Sequence, residues 1–380
     1  MPTYLSQDVA KNPEINNVLA KYKTGFTILL PLSLIAVSIY CAYIYLKPTT
    51  TGLTDVNFYV VAALTIPFSM WNAFQLQMEL GRQNFSLFNY GRTSFVLSYL
   101  FCVSLSWLLG HRNLDLYLYS FLLANVFSTI SMSFLIKKNP FKRKKIILDI
   151  KDLGNTIRAS WQFNLANLLL ASTALVDKGA VSMFFDSGSM AMYTVAISLS
   201  QVSSITNEAL SPLFFSKISK EAYLENINIS WLGNRLRQVV FMNIFIGGLL
   251  LSVSIFTLPI IYGVAYENAR SILVILLPAM CIRTMMRPFE EVLRGAGAPL
   301  GQFYCLGMMT LFFMIGASIA VYYECLIGIA ISVLFSSLIG FFLVTFLVAK
   351  KYGVVQSFVC LPKYEDGKLL LSEILKKING

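Results

Sequence analysis

Four charged residues, Arg283, Arg287, Glu290 and Arg294, recur at intervals of 4, 3 and 4 along one apolar stretch. On an α-helix that spacing lays them along a single stripe. Arg283 lies deepest in the apolar run, where a charge costs about 2.5 to 3.5 kcal/mol to insert and so faces a partner or water. A guanidinium donates paired hydrogen bonds from a fixed fork and stays charged at any relevant pH, which suits a phosphate or pyrophosphate. Arg287 and Arg294, nearer the helix end, read first as ordinary anchors at the cytoplasmic membrane surface and second as further contacts to such a group, and Arg283 could pair with Glu290 or Glu291 instead.

Three further sets share helix faces. Asn164, Asn167, Ala171 and Lys178 fall on one face if their helix is continuous. Lys178 would then offer a cation to a central cavity, with Asp177 on the adjacent face as a proton- or ion-linked carboxylate. Alternatively the helix ends near Val176 and the pair lies at the outer interface, where Lys178 can snorkel. Thr194, Gln201, Ser204 and Glu208 form a second polar face, weakened because Pro212 lacks the amide that would bond the Glu208 carbonyl. Glu208 is thus a candidate to titrate or bind a cation, or to satisfy a neighbouring helix. Asn72, Gln75 and Glu79 form the third face, able to bind sugar hydroxyls or to join helices by hydrogen bonds.

Little else invites chemistry. The six cysteines, Cys41, Cys102, Cys281, Cys305, Cys325 and Cys360, include no CxxC pair, which argues against a zinc cluster or disulfide framework. His111 is the only histidine. No nucleophile or metal constellation is visible, so we expect no enzyme activity, no metal and no cofactor. The 29 Phe and 19 Tyr could stack on sugar rings, but they also fill membrane cores, and no aromatic site is assigned.

The elements that must carry these residues follow from composition. A chain of 380 residues with 56% hydrophobic and 13% charged side chains and a mean hydropathy of +0.66 is too apolar for a water-soluble enzyme. Long apolar runs give ten candidate spans, 24–46, 56–78, 93–110, 116–136, 159–185, 190–215, 238–262, 271–290, 300–323 and 326–348, the third short and the fifth interrupted. Continuous runs broken by Gly, Pro and charge indicate spanning helices rather than a β-barrel. The expected fold is therefore an all-α integral membrane protein.

Charge sets the orientation. Of 30 Lys and Arg, only Lys47, Arg112 and Arg270 fall in outer loops and Lys178 and Arg283 within spans when both termini are cytoplasmic. The basic run Lys137, Lys138, Lys142, Arg143, Lys144 and Lys145 marks the boundary between two helical lobes; it attracts anionic headgroups, and no nucleic-acid partner is expected. The layout is a cytoplasmic segment 1–23 without signal-peptide features, a four-helix lobe 24–136, a basic linker 137–158, a six-helix lobe 159–349 and a cytoplasmic tail 350–380. The tail carries apolar residues at helical spacing over 369–378. An internal echo pairs Pro67 and Gly81 in the second span with Pro278 and Gly295 in the eighth, as in transporters built from repeated halves; the first lobe would then lack two helices.

The segments TIPFSMWNAFQLQMELGRQNFSLFN at 65–89, TALVDKGAVSMFFDSGSMAMYTVAISLS at 173–200 and ALSPLFFSKIS at 209–219 carry a resemblance. Through them the chain resembles the oligosaccharide-lipid flippases of bacterial O-antigen and capsule assembly, in the multidrug/oligosaccharidyl-lipid/polysaccharide exporter (MOP) superfamily. The resemblance implies a MATE-like exporter fold in the inner membrane and an undecaprenyl-pyrophosphate-linked glycan as cargo. It also implies contact with membrane lipids, proton or sodium coupling through Asp177 and Glu208, and association with a polysaccharide polymerase. Family members have twelve or more helices, and MPTYLSQDVAKNPEINNVL is similar to the connection after their second helix. A misplaced start codon, a truncated gene and a real ten-helix form all fit that departure. Two competitors are a multidrug exporter of the same superfamily, which would favour an acidic cavity, and a membrane-bound glycan polymerase or ligase, which would need a larger outer loop than 47–55.

Overall fold

The computed structural model describes residues 2–11, 15–46, 56–110, 114–138, 150–223, 229–263 and 266–352. Among them are thirteen α-helices and one 3₁₀ turn, with no strand. The first five helices are α1 (Pro2–Lys11), α2 (Ile15–Leu46), α3 (Val56–Gly81), α4 (Phe85–Leu108) and α5 (Leu114–Lys138). There follow α6 (Ile150–Thr173), α7 (Val176–Phe184), α8 (Ser187–Gln201), the 3₁₀ turn (Val202–Ser204) and α9 (Ile205–Tyr223). The last four are α10 (Ile229–Tyr262), α11 (Ala269–Gly295), α12 (Pro299–Tyr322) and α13 (Leu326–Tyr352). Six stretches, within α2, α5 and α10 to α13, are long and apolar enough to cross a membrane by length and composition. Leu97, Phe101, Phe134, Phe245 and Ile260 are all well exposed, a surface suited to lipid rather than water. The chain is an all-α, multi-pass membrane protein.

The chain divides into two compact units, Met1–Trp161 and Gln162–Gly380. In the first, α3 packs against α1, α2, α4 and α5; in the second, α11 packs against α9, α10, α12 and α13, and also against α8. The two packing schemes repeat with a constant offset. Adding 214 to the bounds of α4 gives those of α12. The α3–α4 turn closes through Asn84 N to Glu79 O and Gln83 N to Leu80 O, and the α11–α12 turn through Ala298 N to Leu293 O and Gly297 N to Arg294 O, again 214 residues on. Both turns need a left-handed residue, Gln83 at φ 60° and Gly297 at φ 73°. Gly81 and Gly295 therefore correspond, whereas Pro67 and Pro278 do not, so the echo holds through its glycines alone. The two glycines do the same work: a β-carbon at Gly81 would run into Ser6 O of α1, and one at Gly295 would meet Phe215 O of α9 at 2.9 Å.

Three sequence expectations are revised. Residues 2–11 form α1, which buries Leu5 and Val9 against the first unit, and α2 begins at Ile15 instead of 24. The helix that holds the third span is longer than the apolar run 93–110: α4 starts at Phe85, where Asn84 caps it by accepting from Leu87 N at 3.3 Å, and its first turns carry polar residues that an apolar count overlooks. Residues 150–158 of the expected linker are helical in α6, while 139–149, His111 and the tail from 353 lie outside the described residues. The fifth span is interrupted, as expected, at 174–175, where Ser172 and Thr173 donate to the Leu168 and Leu170 carbonyls and compete with the regular helix ladder. After the break, Asp186 ends the α7–α8 turn by accepting from the Gly188 and Ser189 amides. Hydrogen bonding to Ser189 holds its carboxyl below the usual carboxylate range.

Candidate functional site

Arg283 stands 14 residues after Ala269 in α11, roughly 21 Å along the helix, and so near its middle. Its side chain is 17% exposed, and its Nη1 lies 3.9 Å from Asp177 Oδ2 on α7. Its Nε–H donates to Ser337 Oγ on α13 at 3.1 Å, and Ser337 in turn donates to the Val333 carbonyl. Asp177 is buried and accepts two hydrogen bonds of its own: the Lys178 amide on Oδ1 at 2.9 Å and the Tyr193 hydroxyl of α8 on Oδ2 at 3.2 Å. Four helices of the second unit thus converge on one mid-span ion pair. The break at 174–175 places Asp177 in the first turn of the short α7, and Tyr193, fully buried, needs an acceptor for its hydroxyl. A buried tyrosine in an apolar run was the one available sequence sign of this partner; Ser337 had none.

The same break separates the face expected from Asn164 to Lys178. Asn164, Asn167 and Ala171 lie in α6, whereas Lys178 lies beyond the turn in α7 with a half-buried side chain. Asn164 is exposed and Asn167 half-buried. Helical periodicity cannot be carried across a two-residue turn, so the face is not continuous. Glu208 lies in α9, on its first turn; its side chain is outside the described residues.

Along the Arg283 stripe the charges pair outward from the centre. Arg283 does not pair with Glu290 or Glu291 but with Asp177. Glu290, buried, accepts from Gln302 Nε2 at 3.1 Å and has Arg287 Nη1 at 3.9 Å; Arg287 is 44% exposed. Arg294 donates to Glu291 at 2.7 Å and sits over the Phe215 ring, while Lys351 donates to the Ala296 carbonyl and closes the end of α11 against α13. Arg287 and Arg294 thus pair with the acids Glu290 and Glu291 toward the end of α11.

In the first unit the polar face of α3 is turned inward. Asn72 donates to Ser128 at 3.2 Å and Gln75 to Ser133 at 2.6 Å, both on α5, so these two join helices. Glu79 is fully buried and receives Tyr22 Oη at 2.9 Å, Arg82 Nη1 at 2.8 and 3.0 Å and Asn84 Nδ2 at 3.0 Å. An apolar cleft of about 230 Å³ opens between α2 and α3, lined by Phe26, Leu30, Pro67, Phe68 and Trp71 among others. Among the described residues no group of His, Cys, Asp or Glu is arranged to hold a metal ion.

The sequence matches no family model and no curated protein. Solved structures do match. A MATE transporter of Vibrio cholerae, VcmN, has a TM-score of 0.75 at 10% identity over 92% of this chain and 82% of that chain. The fold is that of the MATE transporters. A multidrug resistance MATE family transporter of the MOP superfamily, captured in an outward-facing conformation, follows at TM-score 0.71 and 13% identity, over 93% of this chain and 83% of that chain. A third neighbour is a MOP superfamily transporter from Pyrococcus furiosus, at TM-score 0.68 and 13% identity, over 92% of this chain and 84% of that chain. For that protein, reverse polarity of the binding pocket is described as suggesting a different function. At these identities the likeness establishes the fold, on which the charge of the site has to be argued separately.

Proposed function

We propose that this MATE-fold protein flips an undecaprenyl-pyrophosphate-linked oligosaccharide, an O-antigen or capsule repeat unit, across the bacterial inner membrane by alternating access. The observation that carries the proposal is Arg283. It is a mid-span guanidinium whose only hydrogen-bond acceptor among the described residues is Ser337 Oγ. Its counterpart 214 residues earlier is Ser69, which bonds back to its own helix at Ile66 O. The scaffold is thus built once without a charge at this place, which supports a role for Arg283 in chemistry rather than packing.

The cargo headgroup is too polar to cross hydrocarbon alone, and a guanidinium that meets its pyrophosphate lowers that barrier. The prenyl tail stays in the lipid, and no bond is made or broken. In this reading both termini are cytoplasmic, a proton or sodium gradient resets the cycle through Glu208 or Asp177, and a polysaccharide polymerase receives the flipped unit. Lys178 adds positive charge one residue from Asp177, while Asn164 and Asn167 supply amides for sugar hydroxyls.

Deletion of the gene should leave lipid-linked repeat units on the cytoplasmic leaflet, and complementation with Arg283→Ala should fail to clear them. Full clearance by Arg283→Ala would overturn the role assigned to this residue. Loss of polymer with normal translocation would favour a glycan-assembling enzyme. A multidrug exporter is the second reading, favoured by the outward-facing neighbour described as a multidrug resistance transporter. It predicts gradient-driven efflux of amphipathic cations that is insensitive to Arg283→Ala.

A further inference from the structure

Asp177 and Arg283 face each other without closing a hydrogen bond. A charge-assisted N–H to carboxylate bond is about 2.7 to 2.9 Å long, whereas Arg283 Nη1 stands 3.9 Å from Asp177 Oδ2. Both oxygens of the carboxylate are already engaged, one by the Lys178 amide and one by the Tyr193 hydroxyl. The guanidinium is likewise pinned from its other side by Ser337. Each partner is therefore held by neighbours of its own, at a separation that keeps most of the Coulomb attraction while leaving the Nη groups outside hydrogen-bond reach of the carboxylate.

We propose that Asp177 is a fixed counter-charge that sets the affinity of Arg283 for a phosphate-type oxyanion, and that Tyr193 is the positioning residue that keeps the carboxylate back from the guanidinium. With nothing bound, Asp177 offsets the charge of Arg283 in the span. When a pyrophosphate arrives, its oxygens take the Nη hydrogens in a bidentate contact, and the nearby carboxylate opposes the new negative charge. The site then binds firmly enough to select and weakly enough to release. Asp177, expected from sequence as an ion-coupling group, becomes on this view the tuning element of the Arg283 site. The inference rests on the flippase reading and gives that site its regulation.

The test uses the purified full chain in nanodiscs of neutral phosphatidylcholine, titrated with inorganic pyrophosphate by calorimetry. Asp177→Asn should bind pyrophosphate about tenfold more tightly than wild type and flip lipid-linked cargo more slowly, because release is impeded. Arg283→Gln, alone or with Asp177→Asn, should not bind. Binding by Asp177→Asn that is unchanged or weaker, in protein of normal melting temperature, overturns the proposal, as does a tightening that survives Arg283→Gln. Should Asp177→Asn not fold, Tyr193→Phe gives an independent reading. It frees the carboxylate to approach the guanidinium and should weaken pyrophosphate binding, and unchanged binding sinks the idea. Geranyl pyrophosphate and phosphatidylglycerol separate the two sources of phosphate. Arg283-dependent binding of the first alone supports the cargo, and of the second alone assigns the site to membrane lipid and overturns the proposal. Wild-type protein that binds neither pyrophosphate nor its geranyl ester defeats the flippase reading itself, whereas binding indifferent to Asp177 defeats only the tuning.

Discussion

The two units use the same helix arrangement for opposite ends. In the first, the buried charge is Glu79, near the end of α3, saturated by Tyr22, Arg82 and Asn84 at 2.8 to 3.0 Å. In the second, the charges near mid-span are Asp177, buried, and Arg283, half-buried, 3.9 Å apart, while the buried Glu290 and Arg294 lie further toward the helix end. At the place of Glu79 the second unit has Leu293, and at the place of Arg283 the first has Ser69. A saturated carboxylate at a helix end locks the α2–α3–α4 corner and has nothing left to offer a ligand. An under-saturated guanidinium in the span does the reverse. Buried charge is therefore a sign of function only where its hydrogen-bonding capacity is not already taken by the protein.

The comparison can be broken most directly at Glu79. Glu79→Ala leaves Arg82 and Tyr22 facing an empty corner and should destabilise the protein by about 3 kcal/mol, read from denaturant unfolding in detergent. Flipping per folded molecule should be unchanged, and a selective loss of flipping would place chemistry in the first unit after all. The repeated glycines sharpen the contrast at the next level. Gly81→Ala presses a methyl group onto the Ser6 carbonyl and should cost about 2 kcal/mol, with Gly295→Ala, at 2.9 Å from Phe215 O, costing less. Equal losses in thermal melts would show that the two corners yield alike. Ser128→Ala removes the acceptor of Asn72 and should cost about 1 kcal/mol with no effect on cargo affinity. The smallest effect is expected at Arg287. As it is 44% exposed and 3.9 Å from Glu290, Arg287→Gln should change stability by less than about 0.5 kcal/mol. Its flipping rate should stay near wild type, and a loss comparable to that of Arg283→Gln would extend the site to the helix end.

Much of the fold was legible because membrane helices announce themselves locally. Apolar length gave the positions of α5, α11, α12 and α13 within a few residues, while α2, α4 and α10 began earlier than expected because their first turns are polar. The glycines of the echo were correct and its prolines were not. Gly81 and Gly295 sit where another backbone comes close, whereas a proline inside a membrane helix is tolerated at many positions. The site was half legible. The stripe through Arg283 followed from spacing alone, but Asn72 and Gln75, equally polar and equally well spaced, turned out to face α5.

What the sequence determined by itself was the class of the protein, an all-α chain for the membrane, and the depth of Arg283. Both depend on properties read within a single helix: apolar length and a period of about 3.6 residues. The tertiary structure decided which acid meets that arginine. Glu290 and Glu291 lie about two turns from Arg283, yet Asp177, from a helix far earlier in the chain, is the one in reach. The break after Thr173 and the packing of α8 on α11 bring it there, and a contact between distant segments leaves no periodic trace in either of them.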